Sequence, residues 1–406
     1  MTQFDERFRL VEGGTARTLC DFTADPFELR ANHGKGSEVM LATSSPQDVV
    51  AAIVALDGWA GAVHLASPPR DLASTDYLTA RREAGRKTNV TEAGQAGPTR
   101  WVLYTSGTTG EPKRVEHTIA TLTSASRKND KVRDLVWGLL YEPTRMAGLQ
   151  VLLQAMVAGS QVVTAAGTMQ LAAKVRAFQE SGVTAVSGTP TMWRKILLTG
   201  GASGWPLQQI TLGGEIADQR LLDALARAFP SARITHVFAS TETGAAFAVS
   251  DGRAGFPVSY LREAPRGTGL RIVDGVLQVF RPEIPIADSD GYVSTGDAVT
   301  IDDDRIYFLG RTSGVANVGG AKVWPEQVEE LIRTHPDVLD AVVNPKKNPV
   351  TGEILTATVA LKPGASIDSA GIRQWVREQA PLHHVPATVR LVDSLDESAA
   401  GKVVRR

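Results

Sequence analysis

A ten-residue run, Tyr104 to Lys113 (YTSGTTGEPK), sets four hydroxyl side chains around two glycines and ends on a lysine. The hydroxyls are Thr105, Ser106, Thr108 and Thr109; the glycines are Gly107 and Gly110. Glycine lets the backbone turn tightly and expose its N–H groups, hydroxyls add donors, and Lys113 adds positive charge. That combination suits phosphate oxygens. The run is not a G-x-x-x-x-G-K-[ST] loop, because Gly110 is followed by Glu111 and Pro112. Taken alone, it reads equally well as a Ser/Thr/Gly-rich connection with no ligand. Other reactive constellations are missing from the sequence. None of the 7 histidines is spaced as a metal pair with Glu or Asp on a helix, and no G-x-S-x-G elbow stands at a strand-to-helix turn.

The elements around this run alternate. Val39 to Ala42, Ala62 to Ala66, Trp101 to Tyr104, Leu135 to Tyr141, Gln161 to Thr164, Val183 to Ser187, Ile210 to Leu212 and Ile234 to Phe238 read as strands. Between them, Asp48 to Leu56, Leu149 to Ala158 and the stretch with Leu222, Leu225 and Phe229 carry apolar residues at helical spacing. This rhythm predicts largely parallel sheets covered by helices. After about residue 266 the pattern becomes β-rich, with strands expected over Arg271 to Phe280 and Arg305 to Leu309. Gly310 to Gly314 reads as a linker. Beyond it, a helix beginning near Pro325, strands at Val338 to Val343 and Ile354 to Leu361, and a helix with Ile372, Trp375 and Val376 predict a small α+β unit. The expected fold is α/β: a large domain over 1–310, with a β-rich subdomain, and a small mobile α+β domain over 311–406.

Composition narrows the function. The 406 residues are 43% hydrophobic and 21% charged, near the globular norm. Lys plus Arg is 43 and Asp plus Glu is 44, so neither nucleic acid nor a membrane surface is an expected partner. A single cysteine, Cys20, excludes an internal disulfide framework and fits a reducing, cytoplasmic location. No apolar stretch reaches membrane-spanning length, and Met1 to Leu10 lacks the apolar core of a signal peptide.

Five further motifs follow the first. They are Gly213-Gly214-Glu215, FASTETG over Phe238 to Gly244, YVSTGD over Tyr292 to Asp297, GRTSGVANVGGAKVWPEQVEE from Gly310, and Gly401-Lys402. In this order they resemble the adenylate-forming superfamily, which contains acyl- and aryl-CoA ligases, adenylation domains of peptide synthetases, and luciferases. The resemblance runs from about residue 100 to the C-terminus. It implies ATP-dependent activation of a carboxylic acid as an acyl- or aryl-adenylate, then transfer to the thiol of coenzyme A or of a carrier-protein phosphopantetheine. An amine acceptor, a stand-alone adenylation enzyme and a non-catalytic nucleotide-binding relative are the alternatives.

The resemblance also implies roles. Thr105 to Gly110 and Lys113 hold the β- and γ-phosphates of ATP; Thr241 donates to the α-phosphate; Glu242 is a ligand for Mg2+. Phe238 stacks on adenine beside Ala239, with Gly213, Gly214 and Glu215 along its edge. Asp297 accepts from the ribose hydroxyls, Arg311 reaches the same region, and Lys402 stands between carboxylate and α-phosphate. Two anions must meet in such a reaction, so oriented donors and positive charge are what the chemistry needs. Taken singly, Phe238 is a core residue, Asp297 a turn residue and Lys402 a solvated lysine. The joint order overrides these readings.

Phe238 and Ala239 stand where the family often has Tyr and Gly, and Ser313 stands at the hinge position often held by Asp or Lys. Glu142 to Leu149 (EPTRMAGL) resembles the segment beside the acyl pocket, which brings in Arg145, Met146 and Gly148, with Ser187 and Gly188 facing them. No Asp there would pair with an α-amino group, which disfavours amino acids as substrates. Arg145 either meets a polar or anionic group of the substrate or the thioester-forming region, or points to solvent. A thioester-forming tunnel is expected near Gly319, Gly320 and Lys322. Family members usually carry more chain ahead of the phosphate loop. The resemblance therefore implies a trimmed N-terminal subdomain and a more open pocket, or one covered by a partner, an acyl carrier protein or the second subunit of a homodimer.

Overall fold

The computed structural model describes residues 3–23, 29–30, 35–67, 97–105, 113–166, 169–198, 200, 203–282 and 290–396. The chain forms two compact units. The first draws on residues up to Gly188, Lys195–Gly214 and Leu225–Ser250; the second on Thr189–Arg194, Glu215–Ala224 and the chain from Asp251 onward.

The first unit contains two sheets. Its first two strands, β1 (Arg9–Glu12) and β2 (Thr15–Thr18), form a hairpin on the edge of the larger sheet. Next come β3 (Glu38–Ala42), β4 (Ala62–Ala66), β5 (Arg100–Thr105) and β6 (Lys113–His117), a separate four-stranded sheet in that order. The strands β3, β4 and β5 run parallel, and β6 returns antiparallel. Then β7 (Val136–Leu139), β8 (Gln161–Thr164), β9 (Ala185–Gly188), β10 (Gln209–Gly213), β11 (Arg233–Ser240) and β12 (Gly244–Val249) complete the larger sheet. Its order is β12-β11-β10-β9-β7-β8-β1-β2, and β11 through β1 run parallel.

Helices supply the crossovers that parallel strands require. Helix α1 (Pro46–Leu56) starts where Ser45 caps the Asp48 N–H and Pro46 pre-sets the first turn. Helix α2 (Met146–Ala158) ends at Gly159, whose φ of 76° is left-handed. It begins three residues before the expected Leu149. One core joins both sheets: Leu10, Leu41, Ile53, Trp101, Leu152 and Met156 are all buried in it. Gln150 and Gln154 interrupt the apolar face of α2 because their amides bond the carbonyls of Leu122 and Arg127.

The second unit carries two further sheets. One contains β13 (Phe256–Pro257), β14 (Gly269–Val273), β15 (Val276–Phe280), β16 (Tyr292–Asp302) and β17 (Arg305–Arg311), in the order β13-β17-β16-β15-β14. The single strand expected over Arg271 to Phe280 is therefore a hairpin. Asp274 (φ 51°) and Gly275 (φ 74°) are both left-handed, the two-residue turn that matches strand twist. The expected linker also differs: β17 continues to Arg311, and Thr312–Gly314 forms a short 3-10 turn. The other sheet contains β18 (Ala316–Val318), β19 (Ala321–Val323), β20 (Val338–Asn348), β21 (Gly352–Leu361) and β22 (Thr388–Val392). With α3 (Pro325–Arg333) and α4 (Ser369–Gln379) it encloses its own core of Val328, Ile332, Val343, Val359, Ile372 and Val376. Among the described residues, no helix is long and apolar enough to cross a membrane.

A buried group of charges joins the pieces of the second unit. Arg194 bonds Asp218. Arg333 of α3 lies 3.3 Å from Asp340 and 3.9 Å from both Asp218 and Glu329. Thr191 Oγ1 lies 3.3 Å from Asp340 Oδ2. Burial works against the charge on Arg333, but Asp340, Glu329 and Asp218 outweigh it and raise its pKa. Burial likewise works against the Asp218 carboxylate, while Arg194 and Arg333 hold it below its ordinary value. Removing Arg333 leaves several acids uncompensated. Arg333→Ala is expected to cost about 3–5 kcal/mol in equilibrium chemical denaturation. Arg253→Ala, which removes an exposed pair with Asp304, is expected to leave the same curve unchanged.

Candidate active site

Strand order locates the site in the first unit. From β7 the chain moves to β8 on one side of the sheet, then to β9, β10 and β11 on the other. The sheet thus has a switch point between β7 and β9, and crevices at the carboxyl ends of such strands are where open α/β sheets bind ligands. The segment after β7 contains Arg145, Met146 and Gly148; β9 ends in Ser187 and Gly188; β10 ends in Gly213; β11 ends beside Thr241 and Glu242. The sheet gathers the candidate acyl and nucleotide residues of this unit along one rim.

Two long-range contacts build the centre of it. Lys113 Nζ, at the start of β6, lies 3.2 Å from Glu242 Oε1. His117 Nε2, at the end of β6, lies 2.6 Å from the carbonyl oxygen of Thr241. Alternation along a strand puts residues 113, 115 and 117 on one face, so both contacts come from the same side of β6. Thr241 and Glu242 sit in the turn between β11 and β12, which Ser240 tightens by accepting from the Thr243 N–H at 3.1 Å. Burial pushes the Glu242 pKa up, but its own backbone N–H, Lys113 and Ser240 prevail and hold it below the ordinary carboxylate value. Glu242 is therefore ionised near neutral pH and offers hard oxygen atoms. One such carboxylate fits Mg2+ that arrives largely held by nucleotide phosphates and water. Among the described residues, no group of three or more His, Cys, Asp or Glu forms a cage for a resident metal.

The strand that leads into the candidate 105–113 loop is held at Tyr104. Its hydroxyl lies 2.8 Å from His64 Nδ1, and the other nitrogen of His64 faces Glu38 at 3.6 Å. Its carbonyl accepts from Arg145 Nη1 at 3.1 Å. Arg145 also reaches Glu142 Oε2 at 3.4 Å. The arginine thus bonds the chain itself, rather than pointing to solvent. Close approach explains Gly148: an added Cβ would overlap the carbonyl of Glu142, so only glycine lets this segment fold back onto α2. Met146 Cε stands 3.8 Å from where a Cβ on Gly244 would lie, which sets α2 beside the 241–244 turn.

Phe238 stacks on Phe247 across β11 and β12, with ring centroids 5.2 Å apart and an interplanar angle of 12°. One ring face is thus covered within the sheet. Ala239 falls at an irregularity in that pairing and is exposed. Gly213 pairs with Val237, and Gly214 follows with φ 84°.

In the second unit, Glu215 Oε2 accepts from the Thr191 N–H at 3.0 Å. Asp297 and Arg311 face each other across β16 and β17, with Nε 3.1 Å from Oδ1. Arg311 Nη1 also donates to the Thr295 carbonyl at 2.6 Å. Ser313 lies in the 3-10 turn, whose Thr312 hydroxyl bonds the Gly296 carbonyl at 3.1 Å. Gly319 and Gly320 form the left-handed turn between β18 and β19. Ser106, Gly107, Thr108, Thr109, Gly110 and Lys402 lie outside the described residues, as does the side chain of Thr105, whose backbone pairs with Lys113.

Residues 28–284 match the AMP-binding enzyme family. The chain belongs to that family. Residues 327–402 match the AMP-binding enzyme C-terminal domain, in keeping with the adenylate-forming superfamily. A 2-succinylbenzoate–CoA ligase of Geobacillus kaustophilus is 30% identical over 75% of this chain and 68% of its own length. Surfactin synthase subunit 1 of Bacillus subtilis is 26% identical over 84% of this chain but only 11% of its own length. Among solved structures, ATP-bound MatB of Rhodopseudomonas palustris superposes with a TM-score of 0.74 at 18% identity, covering 98% of this chain and 94% of its own. The amide bond synthetase McbA of Marinactinospora thermotolerans gives the same TM-score at 18% identity, covering 99% and 96%. At such identities these structures show the shared AMP-binding fold.

Sequence reasoning passed over His117, and it did not foresee the bonds of Arg145. The signal for His117 was present: a period of two after Lys113, with Val115 between, and charged Arg114 and Glu116 on the opposite face. The Arg145 geometry gives a prediction. Arg145→Ala should weaken ATP use about ten-fold or more, the size of one charge-assisted hydrogen bond, and leave the order of preference among acids unchanged. Steady-state KM values for ATP and for a panel of acids check it; a change confined to the acids would place Arg145 in the acyl pocket.

Proposed function

We propose that the protein activates a small carboxylic acid with ATP and Mg2+ as an acyl- or aryl-adenylate, and transfers the acyl group to the thiol of coenzyme A. Family membership and the Geobacillus CoA ligase support this reading. The observation that carries it is the meeting of Lys113, at the end of the phosphate loop, with Glu242, 129 residues later, on the rim of the parallel sheet. We assign the 105–113 loop to the β- and γ-phosphates, Thr241 to the α-phosphate and Glu242 to the cation. Phe238 is assigned to stacking on adenine, with Gly213 to Glu215 along the edge. Asp297 and Arg311, already paired, address the ribose. Met146, Gly148, Ser187 and Gly188 border the acyl group, and Arg145 beside them holds the Tyr104 carbonyl at the root of the 105–113 loop.

Lys113 with Glu242, and Asp297 with Arg311, are each paired within their own unit, and groups oriented in this way need little reorganisation as charge builds on the α-phosphate. The cation, when bound, supplies charge neutralisation of the phosphates. Lys402 is assigned to the carboxylate and α-phosphate, and Ser313 to a hinge between residues 1–310 and 311–406. Nothing in this assignment needs a membrane or nucleic acid. A cytoplasmic setting suits the lone cysteine and the substrates. A carrier-protein phosphopantetheine is the other thiol acceptor, suggested by the surfactin synthase relative.

Purified protein given ATP, Mg2+, CoA and a panel of acids headed by 2-succinylbenzoate should yield an acyl-CoA detectable by mass spectrometry, and acid-dependent ATP–pyrophosphate exchange. Exchange with no thioester would redirect the acceptor to a carrier protein or an amine. No exchange over the whole panel, with ATP still bound, would favour a binding module. Lys402→Ala should lower exchange by about 10²–10³ while leaving ATP binding intact; wild-type exchange would refute that assignment.

A further inference from the structure

His117 is 5% exposed, and its place in the first unit is fixed from both ring nitrogens. A carbonyl oxygen only accepts, so Nε2 must carry the hydrogen in its 2.6 Å bond to Thr241. Nδ1 faces Thr121 Oγ1 at 3.3 Å, and Thr121 is itself locked in a capping box with Thr118. Burial lowers the pKa of the ring, which is therefore the neutral, Nε2-protonated tautomer.

What this bond fixes is a peptide plane. In a trans peptide, the carbonyl of Thr241 and the N–H of Glu242 belong to one rigid group and point in opposite directions. That N–H leads directly into the Glu242 backbone, from which the carboxylate side chain departs. A ring held by Thr121 thus grips one end of a plane whose other end is the backbone of Glu242. Lys113, four residues earlier on the same strand face, meets the carboxylate itself at 3.2 Å.

We propose that His117 is a positioning residue for Glu242: through the Thr241–Glu242 peptide it holds the carboxylate where the nucleotide's cation is received. The inference rests on the reading of Glu242 as a Mg2+ ligand. Partners that orient metal ligands typically alter metal affinity about 10–100-fold when removed.

The test is the gain in ATP affinity on adding Mg2+, measured by calorimetry without turnover. His117→Phe keeps ring bulk and loses the donor. It should reduce the gain at least about ten-fold and leave Mg2+-free ATP affinity within about two-fold. His117→Gln places an amide donor near Nε2 and should restore the gain. His117→Asn, whose amide falls short of Thr241, should lose it, and serves in place of the Phe variant if that fails to fold. Retention of the full gain in the Phe or Asn variant, equal losses with and without Mg2+, or failure of Gln to rescue would overturn the proposal. Glu242→Gln separates the two claims. If it abolishes the gain while His117→Phe does not, only the positioning role fails; if it leaves the gain intact, the metal reading fails and the inference with it.

Discussion

The larger sheet of the first unit grows outward from β7 in both directions, with β8 on one flank and β9 on the other. Parallel strands at such a divergence send their following segments to opposite sides, and the backbone leaves a gap at their carboxyl ends. Everything that converges on the rim follows from this constraint. The fold-back at Gly148, the end of β9 at Gly188 and the turn carrying Glu242 are where they are because their strands end there. The smaller sheet supplies what the larger one lacks. Its β5 and β6 flank residues 106–112, and β6 bonds the 241–242 turn at two points.

Those bonds combine different physics. The Lys113–Glu242 contact joins a well-exposed lysine to a half-buried carboxylate, so salt screens it and its strength is modest. The His117–Thr241 bond is neutral, shielded from water and short, so it holds geometry rather than charge. In the function proposed above, this division lets charge rearrange as nucleotide arrives while the backbone stays fixed. Tyr104 follows a similar logic, with its hydroxyl held by His64 and its carbonyl by Arg145.

The alternation of strands and helices was legible because each carries its apolar period locally, as in α1, α2 and β21. The β6 strand was not: it reads Lys-Arg-Val-Glu-His, with one apolar residue, and only its edge position explains that composition. The hairpin at Asp274-Gly275 was signalled by its residues, yet the apolar run on both sides reads as one strand. The motifs were visible as an ordered set. The contacts that tie them were not, since Tyr104 and Arg145 stand 41 residues apart and His117 and Thr241 stand 124 apart. The make-up of the two units was also hidden, because Thr189–Arg194 and Glu215–Ala224 leave the first unit and return without any change of composition to mark it.

That interleaving has a consequence during synthesis. Arg194 and Asp218 emerge from the ribosome long before Arg333 and Asp340, a wait of roughly ten seconds at ordinary elongation rates. By then the chain of the first unit is complete through Ser250, while the second unit's Thr189–Arg194 and Glu215–Ala224 still lack their final neighbours. Arg194 and Asp218 bond each other directly, so the nascent chain neutralises this pair on its own and need not leave either charge bare. In the folded unit the late-arriving arginine sits against this pair, 3.9 Å from Asp218, and so adds to charges that can balance each other without it.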